Sequence, residues 1–314
     1  MNTSIASEIT RAASKQTYYT IRFLVDRERV DDAYRAYAYF RWVDDVLDAP
    51  GCSEDLGSAA VSAERTSFLD QQQSLLHRCL RGARPRAANA QEQMLVDLLQ
   101  HNAGNDAGLR AYVQNMMLVM EFDVRRRGRL VSRTELDQYT RWLAVAVTEA
   151  MHFFIGNGAY TPHDETRYLA VSGAHIAHML RDARDDLQAG YYNVPREVLE
   201  DAQIGPGDVE SEAYRAWVKS RVATARACFA AGRDYLSRVE SFRSRLAGLA
   251  YMARFELVLD TIEKDGFGVR PAYRERRSPG SALRMAWLAL TSAASPRSAR
   301  PQSRPATQER RGVA

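Results

Sequence analysis

Apolar residues recur at intervals of three and four along most of this chain, which is the spacing of one face of an α-helix. The sequence shows neither the alternation of a half-buried strand nor a glycine-rich phosphate loop. Glycines or prolines follow several of the periodic segments, as at Gly156 and Gly190. The pattern predicts helices over residues 5–25, 28–47, 55–80, 91–101, 109–127, 134–155, 164–188, 210–239, 244–264 and 274–290. We therefore expect an all-α fold.

Composition favours one large domain followed by a tail. The 314 residues are 46% hydrophobic and include 18 Gly and 10 Pro, which is low for a β-rich protein. We assign residues 1–290 to a single helical domain. Residues 291–314 are rich in Ser, Pro and Arg with almost no large apolar side chains, so we predict a disordered tail there.

The sequence pI of about 9.0 reflects an uneven distribution of charge. From Arg276 onward there are many arginines and one carboxylate, Glu309, so the rest of the chain is close to neutral. A nucleic-acid-binding function loses its main support for this reason. No stretch of 18 residues is free of charge, and the three cysteines lack metal-ligand spacing. We expect a cytoplasmic protein with at most peripheral membrane contact.

The segment YAYFRWVDDVLD, residues 37–48, places three carboxylates within five residues of an apolar helix. At 3.6 residues per turn, Tyr37, Arg41, Asp44 and Asp48 fall within roughly 60° of one face. Carboxylates four residues apart repel each other unless something lies between them. Removing one of them is therefore expected to preserve or raise the stability of the metal-free protein.

A second acidic segment, residues 181–186, repeats this arrangement. Arg181 precedes Asp182, and Asp186 follows one helical turn later on the same face. Two such faces meeting across a cavity would suit Mg²⁺, which takes oxygen ligands and is usually completed by water and substrate phosphate. The sequence therefore predicts a Mg²⁺ site and a diphosphate substrate.

These segments resemble the squalene/phytoene synthase family over about residues 12–275. The resemblance rests on Lys15 with its neighbours, on the two acidic segments YAYFRWVDDVLD and MLRDARDDLQAGYYNVP, and on MEFDVRRRGRLVSRTELDQY between them. It implies an isoprenoid-synthase-type helical bundle with a central cavity, and an allylic prenyl diphosphate as substrate. It also implies site residues. The Mg²⁺ ligands are Asp44, Asp48, Asp182 and Asp186, and the diphosphate contacts are Lys15, Tyr37, Arg41 and Arg181.

Three departures from the family pattern concern the acceptor side of the reaction. Two glycines that family members usually carry are replaced by Val145 and Thr148, which we expect to narrow the groove for a second prenyl chain. A Gln and an Asn are replaced by His175 and His178, and a Tyr by Phe255. Imidazole is suited to accept a proton near neutral pH. The candidate bases are His175, His178, Glu149 and His152.

The leading hypothesis is transfer of a prenyl group to an electron-rich aromatic acceptor, because the donor residues are present while the acceptor side has changed. The chain resembles the branch of the family that prenylates carbazole-type natural products. The alternative is head-to-head condensation of two prenyl diphosphates, as in squalene or phytoene synthesis. A third hypothesis is a non-catalytic assembly factor, which would not need to retain its carboxylates.

Overall fold

The structure, a computed structural model, describes residues 2–49, 58–104 and 107–273. Every regular element in these ranges is helical, which confirms the all-α prediction. The predicted helix 274–290 and the predicted tail 291–314 lie outside the described residues. The α-helices are α1 (Asn2–Ala13), α2 (Lys15–Leu24), α3 (Val30–Asp48), α4 (Ser58–Leu80), α5 (Ala90–His101), α6 (Ala107–Arg126), α7 (Arg133–Phe154), α8 (Leu169–Arg181), α9 (Ala183–Gln188), α10 (Arg196–Ala202), α11 (Glu212–Ser237) and α12 (Phe242–Lys264).

Side-chain caps decide where several of these helices begin. Ser14 has extended backbone and its hydroxyl accepts a hydrogen bond from the Thr17 amide, so the predicted helix 5–25 is divided into α1 and α2. Ser132 and Glu135 form a reciprocal capping box, which starts α7 slightly earlier than the predicted Thr134. Gly156 follows α7 with a φ of +67°, a conformation that favours glycine.

The segment predicted as one helix over 164–188 is interrupted twice. A 3-10 turn, Glu165–Tyr168, leads into α8, and the helix breaks again at Asp182, where φ is −95° and ψ is 7°. The Asp186 amide still donates to the Asp182 carbonyl at 2.8 Å, so the two carboxylates of the second acidic segment remain one turn apart. The predicted spacing survives although the helix is not continuous.

Two large apolar cores, and a smaller one around Phe122 and Tyr139, hold the described helices together. One surrounds α3 and α5, where the buried Tyr39 hydroxyl donates to Gln72 at 3.2 Å. The other surrounds α8, α11 and α12. No helix within the described ranges is both long and apolar enough to cross a bilayer.

Glycines bring α8 and α11 into close contact. A Cβ atom added to Gly173 would lie 2.9 Å from the Ala225 carbonyl oxygen, and one added to Gly232 would lie 2.8 Å from the Ala170 Cα. Neither neighbour is a flexible side chain, so any larger residue would push the two backbones apart. This contact fixes the position of α8, which leads to the second acidic segment.

Candidate active site

A cavity of about 230 Å³ lies between α3, α6, α7, α8 and α9, and we call it the aspartate cavity. Both acidic segments face it, so the structure brings together all four of the carboxylates that the sequence singled out, Asp44, Asp48, Asp182 and Asp186. A fifth carboxylate, Asp123 of α6, lies beside them. The other wall residues are Leu47, Met120, Val124, Arg126, Tyr139, His175, His178, Met179 and Tyr191.

The carboxylates of the first acidic segment are only partly neutralised. Arg41 donates to Asp44 at 3.2 Å and also pairs with the exposed Asp45. Asp48 is exposed and accepts a hydrogen bond from the Tyr191 hydroxyl at 3.2 Å. Tyr191 follows α9, so this bond connects the two acidic segments across the cavity.

Two of the carboxyl groups have raised pKa values. Burial, followed by the charge of Asp48, raises the pKa of Asp44 to about 6. Burial, followed by the charge of Asp182 and against a hydrogen bond from Asn193, raises the pKa of Asp186 to about 6. A carboxyl group whose pKa is raised by folding stabilises the folded protein at pH values below its pKa in the unfolded chain. This stabilisation is lost as the pH rises through about 6, the pKa in the folded protein. At neutral pH, therefore, their ionisation opposes folding in the absence of a bound cation.

Asp182 behaves in the opposite way. Burial alone would raise its pKa, but hydrogen bonds from Arg181 and His178 outweigh burial and hold the pKa well below its usual value. The His178 Nε2 atom lies 2.9 Å from an Asp182 oxygen. Asp182 is therefore an ionised carboxylate with two partners, and it stabilises the fold at neutral pH.

The donor set fits magnesium. Carboxylate oxygens are the ligands that Mg²⁺ prefers, and Mg²⁺ commonly takes only one or two of them while keeping water and substrate phosphate for its other positions. Among the residues that the structure describes, no three His, Cys, Asp or Glu side chains converge on one point. Paired carboxylates on opposite walls match this sparse coordination better than a closed protein cage would.

A network of side-chain hydrogen bonds around Arg126 lies behind the carboxylates, and it was not predicted from the sequence. We call this network the clasp. Arg126 donates to Asp123 at 2.7 Å and to the Asn193 side-chain oxygen at 2.8 Å, and Asn193 in turn donates to Asp186 at 2.6 Å. The Tyr139 hydroxyl donates to Asp123 at 2.9 Å. Burial raises the pKa of Asp123, although Arg126 opposes the shift. The segment MEFDVRRRG contained the signal, since it places Asp and Arg three residues apart.

His175 is buried in the wall of the same cavity. Its ring meets the Tyr139 ring edge to face, with 4.8 Å between centroids. Neither ring nitrogen has a hydrogen-bond partner among the described residues. Burial, followed by the charges of His178, Arg126 and Arg221, lowers the pKa of His175 well below its usual value.

The structure places Glu149 and His152 outside the aspartate cavity. Arg167 binds both oxygens of Glu149, at 2.7 and 3.0 Å, and Tyr168 donates to it at 2.9 Å. The His152 Nε2 atom lies 2.9 Å from the Tyr235 hydroxyl, and burial lowers the pKa of His152 to about 4. Glu149 thus joins α7 to the turn before α8, and His152 joins α7 to Tyr235 of α11.

An apolar cavity of about 370 Å³ lies between α2, α3, α6, α7 and α12. Tyr37 lines it, as do Val147 and Ala150 of α7, whereas Val145 and Thr148 line neither this cavity nor the aspartate cavity. The expected narrowing of the groove by those two residues is therefore wrong. The reason is helical geometry, since Thr148 is turned about 100° from Val147 and faces a void of about 20 Å³ beside His152.

Arg254 of α12 interacts electrostatically with the second acidic segment. It lines the apolar cavity, and its Nε atom is buried without a hydrogen-bond partner in the described part of the chain. Burial, followed by the charge of Arg181, lowers its pKa, and Asp182 and Tyr37 also act on it. A cation thus lies where the apolar cavity approaches the second acidic segment. Lys15 is exposed at the start of α2, beside Gln16 of the apolar cavity wall.

A helical bundle with a cavity between two aspartate-rich segments defines an all-α protein of the isoprenoid synthase type. More particularly, the chain belongs to the squalene/phytoene synthase family, whose sequence model matches residues 10–283. Members of this family are prenyltransferase-type enzymes that bind prenyl diphosphates and are generally dependent on Mg²⁺.

Solved structures show the same fold. The squalene synthase HpnC from Alicyclobacillus acidocaldarius is 20% identical, with a TM-score of 0.64 over 86% of this chain and 95% of that one. A dehydrosqualene synthase in complex with ligand is 15% identical, with a TM-score of 0.70 over 93% of this chain and 95% of that one. TcSQS with the ligand BPH1237 is 14% identical, with a TM-score of 0.65 over 93% and 88% of the two chains. No curated protein sequence matches this chain significantly.

Proposed function

We propose that this protein is a Mg²⁺-dependent prenyltransferase that ionises an allylic prenyl diphosphate in the aspartate cavity. One observation carries the proposal: two aspartate pairs from distant parts of the chain line one cavity, and an apolar cavity lies one to two helical turns further along α3 and α6. The first cavity suits a diphosphate and its cations, and the second suits a hydrocarbon chain. We further propose a cytoplasmic location with at most peripheral membrane contact.

The proposed roles follow from charge and burial. Asp44, Asp48, Asp182 and Asp186 would hold Mg²⁺, which when bound stabilises diphosphate as a leaving group. Arg181 and Arg254 lie close to this site and orient the diphosphate, with Arg41, Lys15 and Tyr37 at the approaches to it. The apolar walls exclude water, so that the allylic cation meets its acceptor rather than being captured as an alcohol.

The acceptor that the comparisons favour is a second prenyl diphosphate, joined head to head. The family and the three neighbouring structures, which are named squalene or dehydrosqualene synthases, support this reaction class. The unnarrowed groove supports it too, since Val145 and Thr148 do not obstruct either cavity.

The second candidate is an electron-rich aromatic acceptor of the carbazole type. Two observations favour it. The apolar cavity, at about 370 Å³, is near the lower end of the ~300–1,000 Å³ typical of ligand pockets, which suits one prenyl chain better than two. His175 also offers an unpaired imidazole at the cavity wall, which an N–H or O–H group of an aromatic acceptor can use.

One experiment separates these candidates. The purified protein is incubated with Mg²⁺ and allylic diphosphates from C5 to C20, with and without carbazole-type aromatics, and products are identified by mass. Hydrocarbon dimers from one diphosphate alone support head-to-head condensation, and aromatic adducts support the second candidate. Absence of diphosphate release from every donor would refute the proposed function and favour a non-catalytic role.

A further inference from the structure

His175 lines the aspartate cavity, and the proposed donor chemistry gives this side chain no role. His175 is 4% exposed, and neither ring nitrogen finds a hydrogen-bond partner within the described ranges. A buried polar group left unpaired costs roughly 1–3 kcal/mol, and such groups commonly have a functional explanation. Tyr139, the nearest ring, meets the imidazole edge to face while its hydroxyl donates to Asp123.

We propose that His175 is a catalytic residue that takes up the proton released once the new carbon–carbon bond has formed. The inference rests on the proposed prenyl transfer, and it applies to either class of acceptor. The imidazole is neutral, as proton uptake requires, because it is buried and surrounded by the cationic groups of Arg126 and Arg221 and by His178.

The proposed reaction conserves atoms and electron pairs. The C–O bond of the donor breaks, and its electron pair leaves with the diphosphate. A π bond of the acceptor supplies the electron pair of the new carbon–carbon bond, which leaves a cation on the acceptor. With an aromatic acceptor, the C–H bond at the attacked ring carbon then breaks, and its electron pair restores the aromatic ring. With a prenyl acceptor, a C–H bond at the former C1 of the donor breaks instead, and its electron pair closes a three-membered ring onto the cationic carbon. The proton passes to the imidazole lone pair and from there to the diphosphate.

A histidine of depressed pKa is a weak base, yet it is sufficient for this step. A C–H bond next to a carbocation is strongly acidic, so the base needs an available lone pair more than high basicity. The other sequence candidates are bound to charged partners or lie outside the aspartate cavity. His178 pairs with Asp182 at 2.9 Å, Glu149 is bound by Arg167, and His152 lies beside the 20 Å³ void.

The test compares diphosphate release with product formation. His175→Phe keeps a ring of similar shape without a proton acceptor, and His175→Gln keeps polarity without a basic nitrogen. Each variant is incubated with Mg²⁺ and C5–C20 allylic diphosphates, with and without aromatic acceptor. We expect diphosphate release to stay within about threefold of wild type, while coupled product falls by about 10²-fold or more and prenyl alcohol takes its place. Deuterium at the carbon that loses the proton, which is the attacked ring carbon of an aromatic acceptor or C1 of the donor with a prenyl acceptor, should slow product formation in His175→Gln.

His152→Phe provides the matched control, because it removes another buried imidazole that the structure places away from the cavity. Its ratio of product to diphosphate should equal that of wild type. An unchanged ratio in both His175 variants would overturn the inference, as would a parallel loss of diphosphate and product in variants that melt like wild type. Wild-type protein that releases no diphosphate would refute the proposed function itself, and His175 would then have no such role.

Discussion

At the scale of single residues, the carboxylates of the aspartate cavity do not share one electrostatic environment. Asp44 and Asp186 have pKa values raised to about 6, whereas the pKa of Asp182 lies far below its usual value because Arg181 and His178 bind it. The expectation that removing any of these carboxylates preserves or raises stability therefore needs correction. It applies to Asp44 and Asp186, whose pKa values are raised, and not to Asp182.

Opposite effects on stability follow for Asp44→Asn and Asp182→Asn. Without divalent cations at pH 7.5, Asp44→Asn should raise the melting temperature by roughly 2 °C or more, because the repulsion between Asp44 and Asp48 is removed. Asp182→Asn should lower it, because Arg181 and His178 lose their partner. Calorimetry in EDTA measures both. With Mg²⁺ present, each variant should lose at least about 100-fold in product formation. Melting shifts of equal sign would contradict the assigned pKa directions.

Sequence spacing predicted which carboxylates come together better than it predicted their hydrogen-bond partners. The i,i+4 pairs Asp44–Asp48 and Asp182–Asp186 can be read from helical periodicity, and the structure brings them together. Glu149 could not be placed in the same way. Its partner Arg167 lies 18 residues away beyond the end of α7, and only the packing of the turn before α8 brings them into contact.

At the scale of helices, Arg126 joins α6 to the loop after α9. Its guanidinium binds Asp123 and Asn193 and lies over the rings of Tyr139 and Tyr191, at 4.9 and 4.8 Å from their centroids. The Asn193 side-chain amide in turn donates a hydrogen bond to Asp186 at 2.6 Å. The position of the second acidic segment relative to α6 thus depends on one buried side chain.

Arg126→Met should destabilise the protein by about 3–5 kcal/mol, because it leaves the buried Asp123 carboxylate without its cation. Arg125→Met is the matched control. Arg125 is the preceding residue, 73% exposed and paired with Glu121 on the surface, and its loss should change stability by no more than about 0.5–1 kcal/mol. Urea unfolding of both variants gives the comparison. Equal urea midpoints for the two variants would show that the clasp contributes little to the free energy of unfolding.

The helices themselves were largely predictable, since periodicity and caps are local properties. The breaks were not all predictable. Ser14 resembles an ordinary polar residue within a helix until its extended backbone is seen, and Asp182 interrupts α8 although it follows an unbroken apolar pattern. The short α10 was missed because its seven residues are too few for a periodic signal. The contact between Arg126 and Asn193 spans 67 residues and depends on the complete fold.

At the scale of the whole molecule, the aspartate cavity and the apolar cavity lie along the same two helices, since α3 contributes Asp44 to the first and Tyr37 to the second, and α6 contributes Met120 and Met116. Arg254 and Tyr37 line the apolar cavity, and Arg254 interacts electrostatically with Asp182 of the aspartate cavity. A substrate held by its diphosphate would extend its chain between α7 and α12. The volume available there limits the chain length that the protein can accept.

Ala150→Phe should shift the donor preference toward shorter chains. The added ring would occupy part of a cavity of about 370 Å³, and overfilling typically costs ~1–3 kcal/mol, where 1.4 kcal/mol is about tenfold in binding. We expect kcat/KM for C15 and C20 donors to fall by at least about tenfold relative to C5 and C10 donors. Ala230→Phe, on the exposed side of α11, should leave the ratio unchanged. An equal loss of kcat/KM for all donors would mean that the prenyl chain of the donor lies elsewhere.

The glycine contact between α8 and α11 has a consequence for laboratory evolution of this enzyme. Gly173 and Gly232 have no room for a Cβ atom, so substitutions there will be eliminated whatever activity is selected. Positions 147, 150 and 250 line the apolar cavity and tolerate change in proportion to the space beside them. A library that varies the latter and keeps the glycines fixed concentrates its diversity where substrate range can alter while the protein still folds.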